Sequence, residues 1–323
     1  MPKTYLAPKS FLFLFLLSLA LAAPSAAAEL YFIDAHSQMD GSVDQETIIK
    51  LMNKGGVYRT ILAARHGIKP RAIIQFAKAH PKRIIPSVTT KMWGYVHESK
   101  SRHKKYYRAL GKQVRSGKFR SMAEVLMWHS GCPKDKCPSV LVRSGDKRVR
   151  VALKATLAKG WPFIAHIEFG SLSGSLRDDF MGDLKGMLDA NPEHPFALIH
   201  MGQLEHGDAR KLIKAHKNIY FLASHSNTVA FAAAAGAKEW IDMFEGEKLA
   251  SAWRKLVIEY PDRFVFALDN VWGEKHWNTG NYMGQIELWR SALSDLSGEV
   301  ARAIAHGNAE RLWKIPPKPG ASR

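Results

Sequence analysis

Four apolar runs in this chain each carry a metal-capable side chain at or near their end. They are LYFIDAH with His36, FIAHIEF with His166, FALIHMG with His200 and FVFALDN with Asp269. A lone histidine is most often an ordinary core or surface residue. Four such residues on apolar runs, spread from position 36 to 269, form a pattern instead. Three imidazoles and one carboxylate suit a divalent ion such as zinc. An ion of that kind lowers the pKa of its bound water to about 7, so hydroxide is available at neutral pH. A neighbouring imidazole or carboxylate can then carry the proton.

Such distant residues meet only if the fold gathers them. A parallel barrel does so, because the C-terminal ends of its strands surround one mouth. Strand-like and helix-like segments alternate along the chain. Strands are expected at 30–36, 59–64, 83–89, 122–128, 162–169, 195–201, 219–224 and 264–269. Helices are expected at 45–54, 70–79, 103–115, 147–158, 179–188 and 208–215, in a longer region ending near Tyr260, and from Met283 to Leu296 with more helix up to Trp313. The strands are near-continuous apolar runs, as strands covered on both faces must be. Eight such units predict an α/β fold, a single-domain (β/α)8 TIM-like barrel over residues 29–315, with a tail at 316–323. An open doubly wound sheet is the other candidate. It lacks the glycine-rich phosphate loop expected after the first strand.

The first 28 residues read as a secretory signal peptide. Lys3 and Lys9 precede the apolar run Phe11–Ala23, and APSAAAEL offers a small-residue cleavage site after Ala28. The run is shorter than the roughly 20 residues a membrane span prefers, so cleavage is favoured over retention as an anchor. The expected product is exported, periplasmic or secreted, with no integral membrane association. Net charge is +18, and removing the two leader lysines leaves +16. Such a field draws anions. No aromatic-basic motif for nucleic acid is present, so the expected partner is a small, anionic molecule rather than RNA or DNA. Oligomeric state is not legible. Cys132 and Cys137, the only cysteines, lie in GCPKDKCP. In an oxidising compartment a pair this close predicts a local disulfide.

Further side chains fall near the expected mouth. Arg65, His66 and Lys91 follow the second and third strands and could hold a substrate carboxylate. His225 follows the seventh strand in SHSN, at a position where substrate would be touched. Glu124 lies inside the fourth strand, where it either lines the mouth or pairs with a buried cation. Glu168 follows His166 by two and shares its side of the strand. His129 either lines the pocket or caps a loop, the latter being favoured. Trp272, Lys275, His276 and Trp277 make an aromatic and cationic loop after the eighth strand.

The segment Phe32-Ile33-Asp34-Ala35-His36-Ser37-Gln38 resembles the first-strand signature of the amidohydrolase superfamily, Asp-x-His-x-His. FIAHIE, LIHMG and FALDN resemble its fifth-, sixth- and eighth-strand motifs, in that order. AHGNAERL near the end resembles its terminal helix. The likeness spans nearly all of the chain after the leader. It is closest to the amidohydrolase-related branch, which includes aminocarboxymuconate-semialdehyde decarboxylase and dicarboxylate lactonases. The resemblance implies one divalent ion, zinc in the first instance, bound by His36, His166 and Asp269. Asp269 would bind the ion or take a proton from its water, and His200 would activate that water or polarise the substrate. Gln38 stands where the signature has its second histidine. An amide oxygen is the weaker ligand, so Gln38 either joins an open site or marks the loss of the ion. Three functions follow as expectations. The first is hydrolysis of a small ester, lactone or amide. The second is non-oxidative decarboxylation of an aromatic or unsaturated acid. The third is ligand binding by a barrel that has lost its chemistry.

Overall fold

The apolar runs fold as parallel strands because neither of their faces meets water. The computed structural model describes residues 1–2, 30–96, 99–131, 139–233 and 240–320. Residues 3–29, which hold most of the expected leader, and both cysteines with their expected disulfide lie outside the described residues. Strands β1 (Phe32–Met39), β2 (Val57–Ala64), β3 (Ile84–Val88) and β4 (Ser121–Met122) pair in sequence order, all parallel. The expected fourth strand is broken. β4 stays with β3, and after Ala123 and Glu124 the chain continues as β5 (Val125–His129). β6 (Val140–Leu141) returns antiparallel to β5. β5 pairs with β7 (Phe163–Ile167), β7 with β8 (Phe196–Leu198), β8 with β9 (Ile219–Leu222), each parallel. A hairpin of β10 (Phe244–Glu245) and β11 (Lys248–Leu249) precedes β12 (Phe264–Val265), which pairs with β9.

The barrel closes between its first and last strands. Ala35 N donates to Phe266 O at 3.1 Å, Asp269 N to His36 O at 2.8 Å and Gln38 N to Asn270 O at 2.7 Å. The fold is therefore the (β/α)8 barrel that the alternation predicts. One expectation needs correction. The region after β9 is not one long helix. It holds a short helix at Thr228–Ala233, the β10–β11 hairpin and a helix at Ser251–Glu259. Gly246 within the polar stretch EGEK interrupts the helical pattern there.

Ile33, Ala35, Ile61, Ile164, Ala197, Leu222, Val265 and Ala267 pack in one cluster, which Leu312, Trp313 and Ile315 extend from the C-terminal helix. That end of the barrel is solid, as barrels of this kind are. The helices cover the other faces of the strands through a larger cluster around Phe32, Phe76, Phe163, Phe196 and Trp289. Helix ends follow local chemistry. Asp44 accepts from Thr47 N at 2.7 Å before the helix Gln45–Gly55, and Gly56 closes it at φ 68°. Among the described residues no helix is long and apolar enough to cross a membrane.

One irregularity in β1 determines where its histidine points. Between Asp34 and Ser37 the strand advances three residues while β2 advances two, from Thr60 to Leu62. The extra residue is a bulge that reverses the alternation of side chains. Ile33 and Ala35 fill the interior below it, and His36 and Gln38 face the mouth above it. Asp34 holds the bulge. Its Oδ1 accepts from Leu268 N at 2.9 Å and His36 N at 3.3 Å, and its Oδ2 accepts from Ser37 Oγ at 2.6 Å. Ser37 Oγ accepts in turn from Asn270 N at 3.0 Å. Asp34 is fully buried, which pushes its carboxyl up to about 7 against these hydrogen bonds.

Replacing Asp34 with Ala strands two backbone amides and a hydroxyl at the barrel seam. We expect a loss of about 2–4 kcal/mol in chemical denaturation. A change within about 0.5 kcal/mol, the ordinary scatter of surface substitutions, would show that the bulge does not depend on it.

Candidate active site

The strand ends meet at one mouth, and two buried carboxylates organise it. Glu124 is fully buried at the break between β4 and β5, and Asp269 is 2% exposed just beyond β12. Nε2 of His36 lies 3.6 Å from Oε1 of Glu124 and 3.4 Å from Oδ1 of Asp269. His166 touches Glu124 Oε2 through Nδ1, and its Nε2 lies 3.2 Å from Glu168 Oε1. His200 Nε2 is 3.5 Å from Asp269 Oδ2, while its Nδ1 meets Ser224 Oγ at 3.0 Å. Lys91 pairs with Glu124 Oε1.

Of the residues that the sequence singled out for ligand or substrate roles, His36, Gln38, Arg65, Lys91, His166, His200, His225 and Asp269 come together at this mouth, while His66 is exposed. Gln38 does not present a ligand oxygen there. Its Nε2 donates to Glu124 Oε1 at 3.2 Å and to Asp269 Oδ1 at 3.0 Å, and its Oε1 accepts from Arg65 at 3.2 Å. The amide therefore serves as a donor between two anions, a role a carbonyl oxygen could not fill. Arg65 is held by that bond and lies 5.3 Å above Trp272, with its Nε buried and without a hydrogen-bond partner. His225 stacks on His200 with ring centroids 4.8 Å apart, and its Nε2 meets the carbonyl of Asp269 at 3.1 Å. Trp240 packs edge-on against both rings.

Sequence reasoning underrated Glu124 and Glu168. The signal for Glu124 was a single carboxylate in the otherwise apolar MAEVLMW, with nothing local to show its partners. Glu168 is 1% exposed, accepts from Ser130 N at 2.9 Å and Ser130 Oγ at 2.6 Å, and reaches His129 at 3.6 Å. It thus braces His166 from the side opposite Glu124. Trp240 was missed, because its helical surroundings gave no hint that it returns over the mouth.

Electrostatics follows from burial and these pairings. Burial opposes ionisation of Glu124, but Lys91, His166 and His36 outweigh it and hold the carboxyl well below its usual range. Burial, then Glu124, raise Asp269, against His36, Lys91 and the Gln38 hydrogen bond. His166 is raised, since Glu124 and Glu168 overcome its desolvation. His200 goes the other way, lowered well below the usual imidazole value by burial and by His225 and His166. Burial takes His225 down to about 4 and His276 to about 3.

The residues fit a divalent ion. Ligand atoms of His36, Glu124 and Asp269 lie within 4.8 Å of one another, as do those of Glu124, His166 and His200 and those of His200, His225 and Asp269. His36 is fully buried, and neither of its ring nitrogens has a hydrogen-bond partner. A buried imidazole left so is uncommon, and a cation among these carboxylates would satisfy it.

The amidohydrolase family model matches residues 137–315, more than half of the chain. The chain belongs to the amidohydrolase family. Solved structures agree on the fold. An amidohydrolase from Burkholderia multivorans with bound zinc is 14% identical, with a TM-score of 0.52 over 88% of this chain and 100% of that one. An uncharacterised TIM-barrel protein from Bordetella bronchiseptica is 13% identical, with a TM-score of 0.51 over 84% of this chain and 83% of that one. No curated protein matches the chain. In this amidohydrolase the family match begins at residue 137 and so leaves out β1, where Gln38 departs from the expected pattern.

His276 supplies a pH test. It is fully buried, and its Nδ1 accepts from Val271 N at 3.0 Å. The folded protein keeps it neutral down to about pH 3, whereas an unfolded chain protonates it near 6.5. The contribution of His276 to folding stability therefore falls as pH drops below 6.5. From pH 7 to 5 we expect His276→Gln to lose about 2 kcal/mol less than the parent in denaturant titrations. Equal losses would show that His276 is not held neutral.

Proposed function

We propose that this amidohydrolase is an exported, metal-dependent hydrolase acting on a small anionic ester, lactone or amide. The observation that carries the reading is the buried set of His36, Glu124, His166, His200 and Asp269, with neither ring nitrogen of His36 hydrogen-bonded. These residues would hold one divalent ion or a pair, zinc being the first candidate. When bound, such an ion supplies hydroxide at neutral pH and polarises the bond to be broken. The protein's own side chains have separate tasks. Asp269, raised by burial, can accept a proton on Oδ2, 3.5 Å from His200 Nε2. His200 is fixed by Ser224 at Nδ1, so that Nε2 faces Asp269. Glu168 orients His166, as a carboxylate behind a ligating imidazole does. Arg65 and Lys91 place positive charge at the mouth for a substrate anion, and Trp240 and Trp272 restrict water.

Non-oxidative decarboxylation of an aromatic acid is the second reading. It is favoured by the Arg65 guanidinium over Trp272, a pairing suited to a flat anion. The bare binding barrel has less support, because the clustered ligands have no purpose in it. Export rests on the leader reading alone.

The deciding measurement is metal content of the purified protein by mass spectrometry, followed by a screen of lactones, esters, amides and aromatic acids. We expect about one or two ions per chain. His36→Ala and His166→Ala should each lower both metal content and turnover by more than about tenfold. Carbon dioxide release in place of a ring-opened or cleaved product would favour decarboxylation. Full activity in a metal-free preparation would end the metal reading.

A further inference from the structure

Oε1 of Glu124 is crowded by donors. Lys91 Nζ pairs with it, Gln38 Nε2 donates to it at 3.2 Å, and His36 Nε2 lies 3.6 Å away. It belongs to one of the carboxylates that the ion would use under the reading above. The chain's own Lys91 thus places a formal cation on an oxygen that a divalent ion would use. Two cations on one buried oxygen repel each other, since water and salt screen them much less there than at the open surface. One of the two must leave.

The neighbouring groups differ in how freely they can move. His36 sits on the bulged strand pinned by Asp34, and Glu124 lies between two paired strand segments. Gln38 is tied at both ends of its amide. Lys91 follows β3 outside regular structure, and its side chain is 18% exposed, in contrast to the fully buried Glu124 it meets. A four-carbon stem lets the ammonium swing toward solvent while its methylenes stay packed.

We propose that Lys91 is a displaceable plug. It neutralises Glu124 in the unloaded protein, is expelled when the ion enters, and then offers its ammonium to a carboxylate arriving beside Arg65. The site would load in a fixed order, metal before anionic substrate, because the anion's lysine is released only by the metal. This inference rests on the metal-dependent reading above.

The test uses the whole protein and zinc. Zinc affinity is measured by competition with a chromophoric chelator for the parent and for Lys91→Met. Reactivity of Lys91 in the parent is followed by reductive methylation and peptide mass spectrometry, with and without zinc. A removed competitor should tighten zinc binding by about tenfold or more, although the variant loses a buried ion pair. Methylation of Lys91 should rise on zinc addition. Acetate should then protect Lys91 in the zinc-loaded protein and not in the unloaded one. Unchanged or weaker zinc binding by Lys91→Met, or methylation indifferent to zinc, would overturn the plug while leaving the metal reading intact. If neither protein binds zinc, manganese or cobalt, both ideas fall together. Acetate without effect in either state would overturn the order of loading. The labelling arm uses the unaltered chain, so it decides the matter even if Lys91→Met folds poorly.

Discussion

Two buried carboxylates facing one another are the constraint around which this molecule is built. Burial raises the cost of ionising both Glu124 and Asp269, and the charge of Glu124 raises it further for Asp269. The protein meets that cost with Lys91, His166 and His36 on one side and with the amide hydrogens of Gln38 between the pair. These compensating groups come from three separate places in the barrel, His36 and Gln38 from β1, Lys91 from the end of β3 and His166 from β7. The barrel therefore cannot assemble its mouth without also assembling this charge network, and the network cannot form until the barrel closes. Such an arrangement is costly for stability alone, since apolar groups of similar volume could fill the same space. Its retention makes sense if the charges serve a cation and a substrate.

Backbone conformation points to the same mouth. His200, His225 and Asp269 all adopt left-handed φ values, at 54°, 50° and 47°. None is glycine, and such residues are uncommon in that region. Met201 and Gly202 continue the left-handed run after His200. Strained residues of this kind persist only where surrounding structure over-determines them, and they gather at functional sites. Here the strain lies where strands β8, β9 and β12 turn outward. At these positions His200, His225 and Asp269 meet one another in the mouth.

Gln38 shows how a change of one residue type can be absorbed. An imidazole at this position would offer a lone pair to a cation. The amide instead offers hydrogens to the carboxylates and directs its oxygen to Arg65. Arg65 in turn lies against Trp272, so the departure in β1 is linked to the loop after β12. The substitution is thus part of a connected set of polar contacts and has not left a gap.

Much of this was legible in the sequence, for identifiable reasons. Parallel strands covered on both faces must be apolar throughout, so their number and order could be read from hydrophobic runs. His36, His166, His200 and Asp269 stand out because a polar residue ending such a run violates the pattern. What could not be read depended on contacts between distant segments. Glu124 looked like one buried acid until β4 and β5 parted around it. The bulge at Asp34 is invisible in a string of residues, yet it decides that His36 and not Ser37 faces the mouth. The hairpin at β10 and β11 looked helical because the apolar residues around it do not fix a period. Sequence alone thus determined the fold class and four of the candidate ligands, His36, His166, His200 and Asp269, since these are properties of local pattern. Only the tertiary structure decided which way Gln38 turns, what Lys91 holds and how the carboxylates share their donors. Those depend on which atoms closure brings within hydrogen-bond reach.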